Sequence, residues 1–79
     1  MTDAESDIMS IVRDVNPSIE VKDSDVEVSL FDLGFDSLDH ATILLQVEET
    51  FDVKIPDEES ETLITVRQIA GFVAARKAA

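Results

Sequence analysis

The sequence predicts an all-α fold, a small four-helix bundle with three longer helices, one short helix and a long first loop. Three stretches carry apolar residues at the three- and four-residue spacing of a helix, and residues that cap helices lie near their starts. The one run that alternates like a strand, residues 26–30, has no second run to pair with, and a lone strand is not stable. At 79 residues, we expect one domain, 1–79, with a modest core.

The first helix ends near Val15, and Thr2 or Ser6 is the candidate cap at its start. Its apolar residues at helical spacing are Ile8, Ile11, Val12 and Val15. Pro17 restricts the residue before it and ends the helix. Residues 17–35 then form a long connection whose apolar side chains are expected to pack on the helices, with room for one helical turn near Leu30.

The second helix is predicted from Ser37 to Phe51, and it carries two apolar stripes. The core stripe is Ile43, Leu44, Val47 and Phe51. The second stripe is Leu38, Ala41 and Leu45, and it is flanked by Glu48 and Glu49. Because charges at a dry interface are costly, the glutamates place this stripe near solvent, where it is expected to meet a partner surface.

Two further helices complete the bundle. Residues 57–61, with four acids, begin a short helix, since acids stabilise the positive end of a helix. Thr65 caps the last helix, and Gln68 three residues later completes a capping box. Arg76 and Lys77 lie at its C-terminus, where cations are favoured.

The residues Gly34-Phe35-Asp36-Ser37-Leu38-Asp39 form the most informative motif in the chain. Gly34 permits the tight backbone that ends the loop. Asp36 and Ser37 are both residue types that favour a helix N-terminus, because their side-chain oxygens accept hydrogen bonds from free backbone N–H groups. The motif therefore places one serine at a loop-to-helix junction, between two carboxylates.

The charge balance excludes several classes of partner. Eighteen acids against six Lys and Arg give a net charge of −12. Such a surface repels nucleic acid and anionic membranes and attracts basic protein surfaces. No apolar run is long enough for a membrane span, and the acidic N-terminus lacks a signal pattern, so we expect a cytoplasmic protein without membrane insertion. The chain has no cysteine, so any thiol chemistry needs sulfur from outside.

Taken together, these residues resemble acyl carrier proteins over nearly the whole chain. The match rests on the run Asp32-Leu33-Gly34-Phe35-Asp36-Ser37-Leu38 before an acidic second helix, and on Phe51-Asp52-Val53-Lys54-Ile55-Pro56-Asp57-Glu58-Glu59 after it. The resemblance implies a carrier and not an enzyme. It implies that a phosphopantetheinyl transferase moves 4′-phosphopantetheine from coenzyme A to Ser37, with Asp36 beside it, and that the arm holds acyl groups as thioesters.

The resemblance also implies a partner surface. Partner enzymes of the family, of the acyl-transferring, synthase and thioesterase type, present basic patches to the acidic second and third helices. Besides Asp36, the positions that match this surface are Leu38, Asp39, Ala41, Leu45, Glu48, Glu49, Asp57, Glu58, Glu59 and Glu61. We expect a monomer with no resident metal that serves fatty-acid, polyketide or related lipid biosynthesis.

Departures from the family pattern at three positions leave the pathway open. Thr42 occupies a position at which the family often has an acid, and His40 and Gln46 are polar where small or aliphatic residues are common. A specialised pathway, including a peptidyl or aminoacyl carrier, is therefore an alternative. Because peptidyl carriers tend to have Gly-Gly-x-Ser at the motif, Asp36 disfavours that branch.

Three other interpretations of the sequence are a hydrolase, a calcium-binding loop and an acidic interaction module. Ser37 and His40, three apart on one helix, suggest a serine hydrolase dyad, but His40 is the only histidine and there is no Gly-x-Ser-x-Gly elbow. Asp23-x-Asp25-x-Glu27 begins like a calcium-binding EF-hand loop but lacks its glycine at the sixth position and its glutamate at the twelfth. An acidic interaction module without a prosthetic group is the third alternative.

Overall fold

The computed structural model describes residues 1–78, which form five α-helices and one 3₁₀ helix. The three longer helices are α1 (Asp3–Val15), α3 (Ser37–Phe51) and α5 (Val66–Ala78). The short helices are α2 (Leu30–Leu33) and α4 (Asp57–Ser60), and the 3₁₀ helix spans Asp23–Glu27. The predicted all-α bundle is confirmed, with one helical turn at Leu30 in the first loop.

The core lies where α1 contacts α3 and α5. Its largest fully buried side chains are Ile8, Met9, Val12, Leu30, Ile43, Val47, Val66, Ile69 and Val73. The first loop contributes Val21, Val26 and Leu30 to the same cluster. The expectation that the loop packs its apolar residues on the helices is therefore confirmed. The 3₁₀ helix inside the loop was not foreseen, because its apolar spacing resembles a strand.

Capping residues fix the helix starts as predicted. Thr2, the first of the two candidates, caps α1, since its hydroxyl accepts a hydrogen bond from the Glu5 N–H at 3.1 Å. Thr65 Oγ1 accepts from the Gln68 N–H at 3.0 Å, and Gln68 Oε1 accepts from the Thr65 N–H at 3.2 Å. Each cap satisfies backbone donors that have no partner inside the helix.

A buried carboxylate joins three elements. The Glu5 side chain accepts from the Thr2 N–H at 2.8 Å and from Arg67 Nε at 2.9 Å, and Glu5 is only 5% exposed. The Nη1 atom of Arg67 also donates to Glu27 at 2.7 Å. The Thr2 backbone N–H, and after it Arg67, hold the pKa of Glu5 below its ordinary value. We call Glu5, Arg67 and Glu27 the ion-pair cluster; it ties α1, α5 and the 3₁₀ helix together.

The acids that suggested an EF-hand loop are bound to protein groups. Asp23 accepts from Arg13 at 3.1 Å, Asp25 accepts from the Lys22 N–H at 2.9 Å, and Glu27 belongs to the ion-pair cluster. Within residues 1–78, no group of three or more potential ligand side chains is arranged to hold a metal ion. The three acids act here as structural hydrogen-bond acceptors.

Gly34 ends α2 in a conformation that side-chain-bearing residues rarely adopt, with φ at 118°. Its N–H reaches back to the Leu30 and Phe31 carbonyls, which closes the turn before α3. A Cβ at this position would meet Ile19 at an ordinary 3.6 Å, so strain and not a clash opposes substitution.

Replacing Gly34 by alanine is therefore expected to lower the free energy of unfolding by roughly 1–2 kcal/mol. The matched control is Gly71→Ala in α5, where no atom lies within 4 Å of the added Cβ. That change is expected to raise stability by about 0.5–1 kcal/mol, because glycine is the poorer helix former. Urea denaturation of both variants measures the difference, and equal effects would show that the backbone at Gly34 is unstrained.

Candidate functional site

The loop and α3 together place Ser37 at the protein surface. Phe35, 3% exposed, anchors the loop in the core, and its N–H donates to the Leu30 carbonyl at 3.1 Å. Two residues later Ser37 begins α3 with an exposed side chain. Within residues 1–78 the Ser37 hydroxyl has no recorded protein hydrogen-bond partner. A buried anchor before it and a rigid helix after it thus hold this hydroxyl in solvent.

The two carboxylates that flank Ser37 are used to cap α3. Asp36 accepts from the Asp39 N–H at 2.8 Å, and Asp39 accepts from the Asp36 N–H at 3.4 Å, which makes a reciprocal capping box. The Asn16 side-chain amide also reaches Asp39 at 3.5 Å. Both acids therefore fix the direction of the first turn of α3. Their negative charge remains beside Ser37, since neither is paired with a cation in the described part of the chain.

His40 binds the backbone of a distant segment. Its Nε2 lies 2.8 Å from the Leu63 carbonyl oxygen, which can only accept, so Nε2 carries the proton. The ring is half-buried, and it contacts the Phe31 ring at a centroid distance of 5.2 Å. No hydrogen bond joins Ser37 to His40 among the described residues. The geometry gives no support to a serine–histidine dyad.

The second apolar stripe of α3 faces solvent, as predicted. Leu38 is 77% exposed, Leu45 is 54% exposed, and Ala41 between them is also exposed. Of the predicted core stripe, Ile43, Leu44 and Val47 are buried, and Phe51 at the end of the helix is half-buried against the core. A large exposed leucine at the first turn of a helix leaves apolar area available for a binding partner.

A groove of about 330 Å³ runs beside this stripe, between α3 and α4. We call it the α3–α4 groove. Its walls are formed by His40, Ala41, Leu44, Leu45, Glu48, Ile55, Asp57 and Ser60. His40 lies one turn beyond Ser37, so the groove begins close to the exposed hydroxyl. Sequence analysis missed the contribution of Ile55 and Ser60, because the short connector and α4 carry no helical periodicity that indicates which side chains face α3.

The predicted partner acids divide into two groups. Asp36 and Asp39 form the capping box, Glu48 accepts from the Ile55 N–H at 2.7 Å, and Glu59 pairs with Arg76 at 3.2 Å. The other predicted acids are exposed and have no recorded side-chain partner within residues 1–78: Glu49, Asp57, Glu58 and Glu61. The predicted surface residues thus lie together along α3 and α4. Within residues 1–78, only the acids of the second group make no hydrogen bond or ion pair that stabilises the fold.

Thr42 directs its hydroxyl to its own helix. Its Oγ1 donates to the Leu38 carbonyl at 2.9 Å. The position that often bears an acid in the family the sequence resembles therefore adds no charge to the surface here. Glu49, Asp57, Glu58 and Glu61 carry the unpaired charge of this surface within residues 1–78.

Comparison with known proteins agrees with this geometry. A family profile described as "Phosphopantetheine attachment site" matches residues 6–73. A curated relative, "Acyl carrier protein" of Syntrophobacter fumaroxidans (strain DSM 10017 / MPOB), is 50% identical over 48 residues, which cover 61% of this chain and 59% of the relative. The matched part thus spans about three-fifths of the relative's length. The domain of this family bears covalently attached 4′-phosphopantetheine, and its members are carriers and not enzymes. The chain belongs to the acyl carrier protein family.

Proposed function

We propose that Ser37 is the residue to which 4′-phosphopantetheine is attached, and that the chain carries acyl groups as thioesters on this arm. The observation that carries the proposal is the position of Ser37, exposed at the first residue of α3 two residues after the buried Phe35 anchor. A transferase can reach a hydroxyl in this position without unfolding any element.

The residues around Ser37 fit a phosphodiester. The N-terminus of a helix carries partial positive charge and free N–H groups, which favour an attached anion, and α3 is 15 residues long. During attachment Ser37 Oγ loses its proton to the transferase and forms a bond to phosphorus, while the pyrophosphate bond of coenzyme A breaks and the nucleotide leaves. Asp36 and Asp39 hold the helix end rigid, because each carboxylate accepts a backbone N–H of the other residue.

The arm, once bound, supplies a terminal thiol that holds the acyl group. The chain needs this external sulfur because it contains no cysteine. The α3–α4 groove supports acyl cargo with alkyl character, since Leu44, Leu45 and Ile55 contribute apolar walls one turn and more beyond Ser37. This favours a role in fatty-acid, polyketide or related lipid biosynthesis over carriage of amino acids.

The proposal extends to domain organisation, oligomeric state and cellular location. We propose that residues 1–79 act as a single acyl carrier domain, as a monomer in the cytoplasm. No helix within residues 1–78 has the length and apolarity needed to cross a bilayer. The net charge of −12 supports partners with basic surfaces and argues against nucleic acid.

The absence of cysteine provides a sharp test of the carrier role. The chain is incubated with octanoyl-coenzyme A and a broad-specificity phosphopantetheinyl transferase, and the intact mass is measured before and after neutral hydroxylamine. We expect the mass of one acylated arm, and hydroxylamine should remove the acyl group and leave the arm. Because no protein thiol exists, a hydroxylamine-labile acyl group reports on the arm alone. An unchanged mass after transferase treatment would contradict the proposal.

The free acids of the surface should control partner binding. Glu49→Lys is expected to weaken binding to a basic partner, with the transferase as the probe, by about three- to tenfold at low salt and less at high salt. Its matched control is Asp7→Lys on α1, which changes the net charge equally at an exposed site outside the proposed surface.

Glu48→Lys is a poor probe of the same surface. The change removes the acceptor of the Ile55 N–H and so disturbs the connector to α4 as well as the charge.

Titration of Glu49→Lys and of Asp7→Lys into the transferase gives the dissociation constant of each variant. Equal weakening by Glu49→Lys and Asp7→Lys would mean that net charge, and not this surface, determines binding.

A further inference from the structure

Phe31 is an exposed aromatic side chain with no role in the core. It lies on the single turn of α2, six residues before Ser37, and is 41% exposed. The preceding residue, Leu30, is by contrast fully buried. Exposure of a large aromatic ring costs free energy unless a ligand or partner covers it.

The Phe31 ring contacts the wall of the α3–α4 groove from outside. The ring packs against His40 at 5.2 Å between centroids, tilted by 50°. His40 in turn is fixed, because its backbone N–H donates to the Asp36 carbonyl at 2.9 Å and its ring donates to Leu63. His40 is also the groove residue nearest to Ser37 along α3. Phe31 is not itself a wall residue of the groove, but it contacts the wall residue that is nearest to Ser37 along α3.

We propose that Phe31 is a positioning residue that seats the phosphopantetheine arm between Ser37 and the groove; this rests on attachment at Ser37. The arm is the occupant because covalent attachment one turn away from His40 gives it a high effective concentration at this face. Its gem-dimethyl segment is apolar and suits an aromatic ring, and the anionic end stays at the N-terminus of α3. The ring so placed directs the thiol end along the groove.

Nuclear magnetic resonance of the loaded protein tests this directly. Intact mass first establishes that wild type, Phe31→Leu and Phe72→Leu each carry the arm. In the wild type we expect an upfield ring-current shift of the arm's gem-dimethyl protons relative to free coenzyme A, with nuclear Overhauser contacts to the Phe31 ring. Phe31→Leu should lose the shift. Phe72→Leu, which alters a half-buried ring beneath Arg76 on α5, should keep it.

The outcomes separate this inference from the proposed function. A chain that gains no mass contradicts attachment itself. A loaded wild type whose gem-dimethyl protons resonate as in free coenzyme A, or a loaded Phe31→Leu that keeps the shift, overturns the role of Phe31. If Phe31→Leu leaves the arm signals unchanged but weakens transferase binding, Phe31 belongs to a partner contact instead. His40, the only histidine, is a second reporter, since its ring signals should move on loading of wild type but not after identical treatment of Ser37→Ala.

Discussion

Replacing Ser37 by alanine is expected to abolish loading of the arm completely while leaving the fold intact. The hydroxyl is the proposed acceptor of the phosphoryl group, so its removal leaves nothing to esterify. The side chain is exposed and has no recorded hydrogen-bond partner within residues 1–78, and alanine is a good helix former, so stability should change by less than about 0.5 kcal/mol. Intact mass after transferase treatment and a thermal melt measure the two effects.

The control for this change is Ser60→Ala. Ser60 lies in the acidic helix α4, beside the same groove, and its hydroxyl donates to the Asp57 carbonyl at 2.6 Å. This variant should load as the wild type does. Loading of Ser37→Ala to the wild-type extent would move the attachment site to another residue, whereas failure of both variants would indicate a damaged surface and not a lost acceptor.

Replacing Arg67 by methionine should produce the largest loss of stability. Arg67 donates to both Glu5 and Glu27, and Glu5 is buried. Methionine keeps much of the length of the side chain but removes the cation, which leaves the Glu5 carboxylate with the Thr2 cap alone. Arg67 is itself 52% exposed, but its loss leaves the buried Glu5 carboxylate without a cation, so we expect the melting temperature at neutral pH to fall by about 5 °C.

The pH dependence of this loss follows from the pKa of Glu5. The Thr2 N–H and Arg67 hold that pKa below the ordinary value of 4.5. A carboxyl group whose pKa is lower in the folded state contributes stability above the unfolded pKa, and the contribution is lost as the pH falls through the folded value. The difference between wild type and Arg67→Met should therefore be full at neutral pH and shrink below 4.5. The pKa of Arg67 is raised by the same contacts and does not alter this window.

Two comparisons make the Arg67 result interpretable. Arg76→Met removes a cation whose partner Glu59 has a side chain 45% exposed, compared with 6% for Glu5, so it should change the melting temperature much less. The double variant Glu5→Gln with Arg67→Met should lose less than the sum of the single losses, because the buried charge is gone. A loss that stays constant from neutral pH to below the pKa of Glu5 would exclude the ion pair as its cause.

Features encoded by neighbouring residues were predictable from the sequence. The bounds of α3, the start of α4, and the caps at Thr2 and Thr65 depend on residues within one turn of each other, and all agree with the structure. The exposed stripe of α3 was also foreseen, because two glutamates border it. Ser37 at the loop-to-helix junction follows from the same kind of local signal.

Contacts across the fold were not predictable in this way. Glu5 and Arg67 are 62 residues apart, and His40 and Leu63 are 23 apart, so no local pattern joins them. The Thr-x-x-Glu signature at Thr2 identifies the Glu5 cap but not its burial or its cation. For the same reason the sequence did not indicate that Glu48 and Glu59, two of the predicted partner-surface acids, also bind groups elsewhere in the chain.

The most direct test of the account is the location of the arm in the wild-type chain. Tandem mass spectrometry of the transferase-treated protein, after proteolysis, reads the modified residue from the fragment masses. We expect one arm per chain, on Ser37 and on no other serine or threonine. An arm found on a different hydroxyl, such as Ser29 or Thr42, would contradict the claim that the exposed end of α3 is the attachment site.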